Sequence, residues 1–504
     1  MLARYVRSVV SRGRSPVAWS LVLPVAAAEV LLLVATANRY GYHRDELYFR
    51  VAARHPAWGY DDQPALTPLL GRFSEWLFGD TPRGLRVVSA VAVALVVVLV
   101  AMIAREFGAG RTGQAVAALS AAASGAAMAV GHLLSTTTFD LLFWVTLVYL
   151  VTRLLGGGEE RQWLLVGVVA GIGLENKHLV LLLLGALAAG CLLDRRWGLA
   201  RSPWLWAGAA LALAIWLPNL LWQAQHGWPQ LELARKIGDE DPVGYRAQLL
   251  PLQLLLVGPL LAPLWLGGLW WLLRREDARR FRSLGFAYLA LLSLMLATGA
   301  KPYYTMGLLL SLLGAGGVVA EHWLRRGRGR GLALGAAIAV SAVVAALITL
   351  PLVPARAVHA TPIPDINEDA IETIGWPGFA ATVARVWNRL PAAERANAVV
   401  YASNYGEAGA IARYGPALGT PRAYSGHNAF WRFGRPRDGA RPIVVIGYRN
   451  PSRLRGTFSG CKRSATIDNG VDLDNEEQGA PVWTCAATVG SWSELWPRLR
   501  SLNP

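Results

Sequence analysis

Lysine is nearly missing from this chain: Lys177, Lys236, Lys301 and Lys462 are the only four among 49 Lys and Arg in 504 residues. Charge of either sign is scarce, at 16% against 54% hydrophobic. A soluble domain carries roughly 25% charge, so a single water-soluble core is excluded. Cysteine is limited to Cys191, Cys461 and Cys485. Cys191 lies in an apolar block and reads as an inert core residue. No tandem repeat and no cleavable signal peptide is evident; the first apolar block reads as a retained helix behind Arg4, Arg7, Arg12 and Arg14. Acids are outnumbered, and the net charge is +16. That excess does not read as a nucleic-acid surface, because the Arg residues stand in short clusters beside apolar blocks, as in cytoplasmic membrane loops. The Arg-, Ala- and Gly-rich composition fits a high-GC bacterial genome.

What is abundant is long apolar runs. Eleven membrane helices are expected, at about 17–37, 87–104, 114–131, 139–153, 163–175, 178–193, 204–222, 249–273, 284–299, 305–323 and 332–352. Glu175, Asn176, Lys177 and His178 interrupt the fifth and sixth. With the N-terminus inside, every inner loop is basic: Arg105 and Arg111; Arg153 and Arg161; Arg195, Arg196 and Arg201; 274–282; 325–330. An odd number of crossings then leaves the C-terminal region outside.

Three outer segments exceed what a connector needs: 38–86, 223–248 and 354–504. The last contains strand-like runs at 398–402, 442–448 and 482–489, with a helix near 406–413, and reads as a small α/β domain. Cys461 and Cys485 both lie in it, so a disulfide between them is expected if it faces an oxidising compartment.

The first outer loop reads Gly-Tyr-His-Arg-Asp-Glu-Leu-Tyr-Phe over 41–49, then Trp-Gly-Tyr-Asp-Asp-Gln-Pro over 58–64. Asp45 and Glu46 can be read as first-turn acids of a short helix. They can equally supply a general base, which sugar transfer to a hydroxyl requires. Positive groups for a departing phosphate are at hand in Arg44, Lys177, His178 and Lys301. A lipid tail would stay in the bilayer while its phosphate sits at the surface, where these residues stand.

An ordered set of motifs carries a resemblance. It comprises Arg44-Asp45-Glu46-Leu47-Tyr48-Phe49, Gly59-Tyr60-Asp61-Asp62-Gln63-Pro64, Gly131-His132-Leu133-Leu134-Ser135-Thr136 and Gly173-Leu174-Glu175-Asn176-Lys177. It continues through Pro218-Asn219-Leu220-Leu221-Trp222-Gln223, His226-Gly227-Trp228-Pro229 and Lys301-Pro302-Tyr303-Tyr304. Asn404-Tyr405-Gly406-Glu407-Ala408-Gly409 and Ser425-Gly426-His427-Asn428 follow in the outer region. Together they resemble the bacterial glycosyltransferase 39 family, which groups with protein O-mannosyltransferases and the aminoarabinose transferases of lipid A.

The resemblance implies a polytopic α-helical membrane protein of the type C glycosyltransferase fold. It divides the chain into a membrane glycosyltransferase domain, 1–353, with its catalytic loop at 38–86, and an extracytoplasmic α/β domain, 354–504. It implies a polyprenyl-phosphate-sugar donor, inversion at the anomeric carbon, and Asp45 as the catalytic acid with Glu46 its companion. Tyr303 and Tyr304 join the donor-phosphate group. Tyr60, Asp62, Gln63, His132, His427 and Asn428 become substrate contacts. The aminoarabinose transferases have Glu-Lys-Pro where this chain has Asp62-Gln63-Pro64. The acid is kept in kind and the Lys is absent, so Lys301, Lys177 or Arg44 would compensate.

Simpler readings stand beside these. Asp140 reads as a helix cap, Glu175 and Lys177 as an ion pair, His132 as a packed residue, and Lys301 as a side chain reaching for headgroups. No cofactor is required; a divalent cation, Mg²⁺ or Mn²⁺, is compatible with Asp45 and Asp62. The expected function is transfer of a sugar to an acceptor hydroxyl on a lipid, glycan, protein or secreted natural product, at the outer face of a bacterial cytoplasmic membrane. The alternatives are a transporter or flippase of lipid-linked sugars, which calls for broken helices with mid-membrane charge, and a non-catalytic scaffold.

Overall fold

The computed structural model describes residues 15–503. Arg4, Arg7, Arg12 and Arg14, which precede the first apolar block read as a retained helix, lie outside the described residues. Sixteen helices build the first part of the chain. They are α1 (Trp19–Thr36), α2 (Arg44–Ala52), α3 (Leu66–Phe78), α4 (Pro82–Glu106), α5 (Arg111–Ala122), α6 (Gly125–His132), α7 (Thr136–Leu155) and α8 (Gln162–Leu174). Then follow α9 (Val180–Leu193), α10 (Pro203–Gln225), α11 (Pro229–Glu240), α12 (Pro242–Val257), α13 (Ala262–Arg274), α14 (Arg282–Thr298), α15 (Met306–Leu324) and α16 (Arg328–Thr349).

Among the described residues, seven helical segments are long and apolar enough to cross a membrane, or nine if each of two bent pairs is one span. The seven contain α1, α4, α7, α10, α14, α15 and α16, and the protein is a multi-pass membrane protein. Two expected spans are broken. The segment read as 114–131 bends by 55° between α5 and α6, and the one read as 249–273 bends by 83° between α12 and α13. The cause of the second bend is Gly258, at φ +103°, followed by Pro259: the glycine takes a left-handed turn, and the proline cannot continue the helical ladder. At the first, the Ser124 side chain accepts from Ala127 N and starts a new helix. No ionisable side chain sits at either break. Helices α8 and α9 are apolar but only 13 and 14 residues long, short of the ~20 that span a bilayer. In order, these helices fall on the eleven segments expected.

Close approach between helices rests on small residues. A Cβ on Gly167 of α8 would lie 2.1 Å from the Gly208 carbonyl oxygen of α10. On Gly190 of α9 it would lie 2.2 Å from the Ser283 carbonyl oxygen of α14.

The C-terminal region holds a five-stranded sheet. Its strands are β1 (Val399–Ala402), β2 (Ala423–Ser425), β3 (Ile443–Ile446), β5 (Lys462–Thr466) and β6 (Pro481–Cys485); β4 (Phe458–Ser459) and β7 (Ala487–Thr488) make a separate pair. The order is β2-β1-β3-β6-β5, parallel on the β1 side and antiparallel from β3 to β5. All four residues of β3 are buried, as expected of a central strand covered on both faces. The run expected at 482–489 is two strands in two sheets, separated at Ala486, whose N–H turns to the Ser459 carbonyl. Cys461 and Cys485 are joined by a disulfide.

Helices α17 (Trp376–Asn388), α18 (Tyr405–Tyr414) and α19 (Trp492–Leu499) cover this sheet. One hydrophobic core runs from it into the first loop: Leu47, Tyr48 and Phe49 of α2 pack with Phe379, Ala408, Ile411 and Val444. The contact is tight, since a Cβ on Gly409 would lie 2.9 Å from the Leu47 backbone. The C-terminal region is thereby held against the loop that carries Asp45.

Candidate active site

Helix α2 begins with a capping box in which His43 takes the place of the usual Ser or Thr. Its Nδ1 accepts from Asp45 N at 3.2 Å, while Glu46 Oε2 accepts from His43 N at 2.8 Å. This start throws the two neighbouring acids in different directions.

Glu46 is fully buried. Its Oε1 accepts from Arg86 Nε at 2.7 Å and from Leu134 N at 2.9 Å. Its Oε2 accepts from Arg86 Nη2 at 2.7 Å as well as from His43 N. All of its capacity is used in tying α2 to α4 and to the turn after α6. The expected companion catalyst is thus sealed from solvent, with both carboxylate oxygens occupied.

Asp45 is half-buried. Its Oδ1 accepts from Tyr405 Oη at 2.8 Å, and no hydrogen bond to Oδ2 is found among the described residues. Tyr405 lies at the start of α18, so the C-terminal region supplies the residue that holds this carboxylate. The Tyr405 ring also carries the Arg44 guanidinium, 5.1 Å from its centroid, and packs 5.1 Å from the Tyr48 ring. Tyr48 Oη donates to Asp62 Oδ1 at 2.5 Å. Burial pushes the Asp62 carboxyl up to about 7, against the Tyr48 hydrogen bond that lowers it.

Asp61, next in the chain, is wholly buried and gripped by Arg432 through Nε at 2.5 Å and Nη2 at 3.0 Å. It is a second clamp between loop and C-terminal region. Tyr60, expected to touch substrate, instead donates to the Ala52 carbonyl at 2.8 Å and braces the loop. Gln63 is buried, with its Nε2 unpartnered.

The expected phosphate cations separate clearly. Arg44 is ion-paired with Glu476. Lys301 is ion-paired with Glu240 at 3.1 Å. His178 is tied to Trp216 and Asn219, each at 3.2 Å. Lys177 has no acid partner within ion-pair distance among the described residues. The expected Glu175–Lys177 pair does not form, because Lys177 Nζ turns to Thr137 Oγ1 at 3.0 Å and lies 5.5 and 6.0 Å from the Tyr303 and Tyr304 rings. Asp140 is not the cap of α7. Ser135 fills that place, and Asp140 is buried a turn further in, accepting from Trp144 Nε1 at 3.1 Å and within electrostatic reach of Lys177. Tyr303 stands within electrostatic reach of both Asp45 and Asp140. Asp45, Asp140, Lys177 and Tyr303 are thus brought to one place by α2, α7, the α8–α9 turn and the segment before α15.

His132 is buried; Arg86 Nη1 approaches its Nε2 at 3.4 Å, and its Nδ1 is unpartnered. It lines a cleft of about 310 Å³ with Tyr40, Asn367, Asp369 and Thr373. His427 is buried under Tyr405, whose N–H approaches its Nδ1 at 3.4 Å, and burial lowers this imidazole to about 4. Asn428, at φ +47°, accepts from Asn503 N and anchors the C-terminal strap.

Asp45 and Asp62 belong to no group of three metal-competent side chains among the described residues; Glu372, Glu476 and Glu477 do. Tyr405, Arg86, Asp61 and Arg432 were not singled out from the sequence. Tyr405 and Asp61 lie inside motifs quoted above, and that was their only signal.

The arrangement of helices with a C-terminal sheet region defines the class: the chain has the type C fold of membrane glycosyltransferases. Its fold matches the crystal structure of ArnT from Cupriavidus metallidurans bound to undecaprenyl phosphate, with a TM-score of 0.63 at 15% identity over 92% of this chain and 98% of that one. The apo form of the same protein matches with a TM-score of 0.59 at 15% identity, over 93% and 98%. The arabinofuranosyltransferase AftD from Mycobacteria matches with 0.51 at 15% identity, over 93% of this chain and 40% of that one. Residues 62–222 match the family described as dolichyl-phosphate-mannose-protein mannosyltransferase. This bears out the resemblance read from the motifs. No curated protein sequence matches the chain.

Proposed function

We propose that this chain is an inverting glycosyltransferase that moves a sugar from a polyprenyl phosphate to an acceptor hydroxyl at the outer face of the cytoplasmic membrane. Residues 1–353 form the membrane domain and 354–504 the extracytoplasmic domain, with the N-terminus inside. One observation carries the reading. Of two adjacent acids, Glu46 is sealed by four donors, while Asp45 is half-exposed with one oxygen held by Tyr405; Lys177, without an acid partner among the described residues, lies against the ring of Tyr303, which is within electrostatic reach of Asp45. That is the arrangement of a positioned base facing a phosphate-binding cation.

In this mechanism the acceptor hydroxyl gives its proton to Asp45 as its oxygen attacks the anomeric carbon. The bond from that carbon to the phosphate oxygen breaks, and polyprenyl phosphate leaves. A phosphate monoester is a tolerable leaving group, so charge stabilisation matters more than protonation. Lys177 supplies that charge, and Tyr303 and Tyr304 wall the site. The likeness to a protein crystallised with undecaprenyl phosphate supports this donor class. The two broken helices do not favour a transporter, because neither break carries charge.

The test is incubation of the purified protein with short-chain polyprenyl phosphates bearing mannose, another hexose or a pentose, in extracts of the native envelope. Release of polyprenyl phosphate with transfer of label to an acceptor is expected from one donor. Binding of donor with no turnover on any of them contradicts the reading.

A further inference from the structure

The densest cluster of acids lies beside the site and takes no part in the chemistry above. Glu372, Glu476 and Glu477 place one carboxylate oxygen each within 4.8 Å of one another. Glu407 and Asp369 stand within electrostatic reach of the group. The positive charge facing it is the Arg44 guanidinium, from α2, with the His43 imidazole nearby. Arg44 is already committed to Glu476. Like charges packed this way repel strongly away from water.

The hydrogen bonding does not relieve them. Glu407 is satisfied, its Oε2 accepting from Ser403 N, Ser403 Oγ and Asn404 N. Glu372 spends Oε1 on Glu476 N. Asn404 Nδ2 reaches Glu476 and Glu477 at 3.4 Å each. Glu372 Oε2 and Glu477 Oε2 receive no donor from the rest of the described residues and have only each other's carboxyl to face, although these residues are only 6% and 5% exposed. A buried carboxylate oxygen without a donor is costly, and here two are left over. Glu477 also lines a small cleft with Asn469 and Asn475.

We propose that Glu372, Glu476 and Glu477 bind one hard divalent cation of the calcium, magnesium or manganese kind, fastening the segment before α17 to the loop between β5 and β6, next to the helix that carries Asp45. Carboxylate oxygens without sulfur or imidazole suit hard cations. The site is distinct from the chemistry: the acids reach Asp45 through Arg44, and Asn404 joins them to the start of α18, where Tyr405 holds Asp45. The cation therefore acts on the base by position, not by contact.

The test uses the full chain in detergent, stripped with EDTA and titrated with Mn²⁺ by calorimetry and electron spin resonance. One saturable site is expected, with a Kd no weaker than ~1 mM, the range of extracellular modules. Ca²⁺ should compete for it and raise Tm. Glu477→Gln should weaken Mn²⁺ binding at least tenfold. Should that variant fail to fold, Glu476→Gln, whose carboxylate is half-exposed, reads the same loss. The absence of saturable Mn²⁺ binding, or unchanged affinity in the folded variants, overturns the proposal and leaves a proton shared between Glu372 and Glu477 as the charge that quiets the cluster.

Discussion

Exchanging the neighbouring acids Glu46 and Asp45 for their amides separates an anchor from a catalyst. In Glu46→Gln, one oxygen becomes an NH₂. Each oxygen of Glu46 receives two donors, Arg86 Nε with Leu134 N on one side and Arg86 Nη2 with His43 N on the other. The new amide therefore faces two donors whichever way it turns. It also leaves the 2%-exposed Arg86 as an unpaired cation. Breaking a buried ion pair from one side costs roughly 3–5 kcal/mol. In Asp45→Asn, the amide carbonyl can still accept from Tyr405, and the loss is about 1 kcal/mol or less. The assay is thermal unfolding of both variants in one detergent. Glu46→Gln should lower Tm by roughly 4 °C or more, and Asp45→Asn should stay close to the parent. If Glu46→Gln melts with the parent, the anchor assignment is wrong, and Glu46 returns as a candidate for chemistry.

Asp62 should give the protein a pH-dependent stability. Its folded pKa is raised to about 7, so the folded state holds a proton that the unfolded chain has released above ~4. Its contribution is full below that pH, falls by at most about 1.4 kcal/mol per unit as pH rises toward 7, and is flat beyond. The Tm of the parent relative to Asp62→Asn at pH 5, 6, 7 and 8 should show that fall, and parallel curves would contradict it. Lys177→Ala should weaken donor binding and turnover together, because the phosphate is present before and after transfer. Lys301→Ala, which breaks a pair with Glu240, should do much less; the reverse ranking in a donor-binding assay would move the phosphate site. Alkylation of intact protein without reductant should leave Cys461 and Cys485 unmodified, since a disulfide closes them. Two alkylated thiols at these positions would place this region on the inner side. Removing the cross-link should cost about 3 kcal/mol in the chain-entropy model.

Much of the membrane part is legible in the sequence because apolar length is a local property. The positions of the apolar segments needed only composition and spacing; of the eleven expected as crossings, seven are long and apolar enough among the described residues, or nine if each bent pair is one span. The bends needed more. Gly258-Pro259 is visible in the sequence, yet the apolar run continues across it, and hydropathy is blind to direction. In the C-terminal region the buried strand Ile443–Ile446 announces itself by four β-branched residues in a row. The edge strands Ala423–Ser425 and Lys462–Thr466 do not, since they pair on one side and carry ordinary polar residues. The candidate site was half legible. The loop motif pointed to Asp45, but Asp45 and Glu46 look equivalent until Arg86, 40 residues on, claims one of them. Tyr405 reaches Asp45 across 360 residues, a distance no local pattern reports. Scarcity alone does not tell Lys177 from Lys301; the pairing of Lys301 with Glu240, which only tertiary contact reveals, separates them.

The central claim is that Asp45 takes the acceptor proton, and turnover of Asp45→Asn on a polyprenyl-phosphate sugar tests it most directly. The amide keeps the shape and the Tyr405 contact while losing the basicity. General-base catalysis is worth roughly 10²–10⁴-fold. Turnover should therefore fall by at least about a hundredfold, with donor binding and Tm close to those of the parent. Turnover within a fewfold of the parent would contradict the account and remove Asp45 as the base.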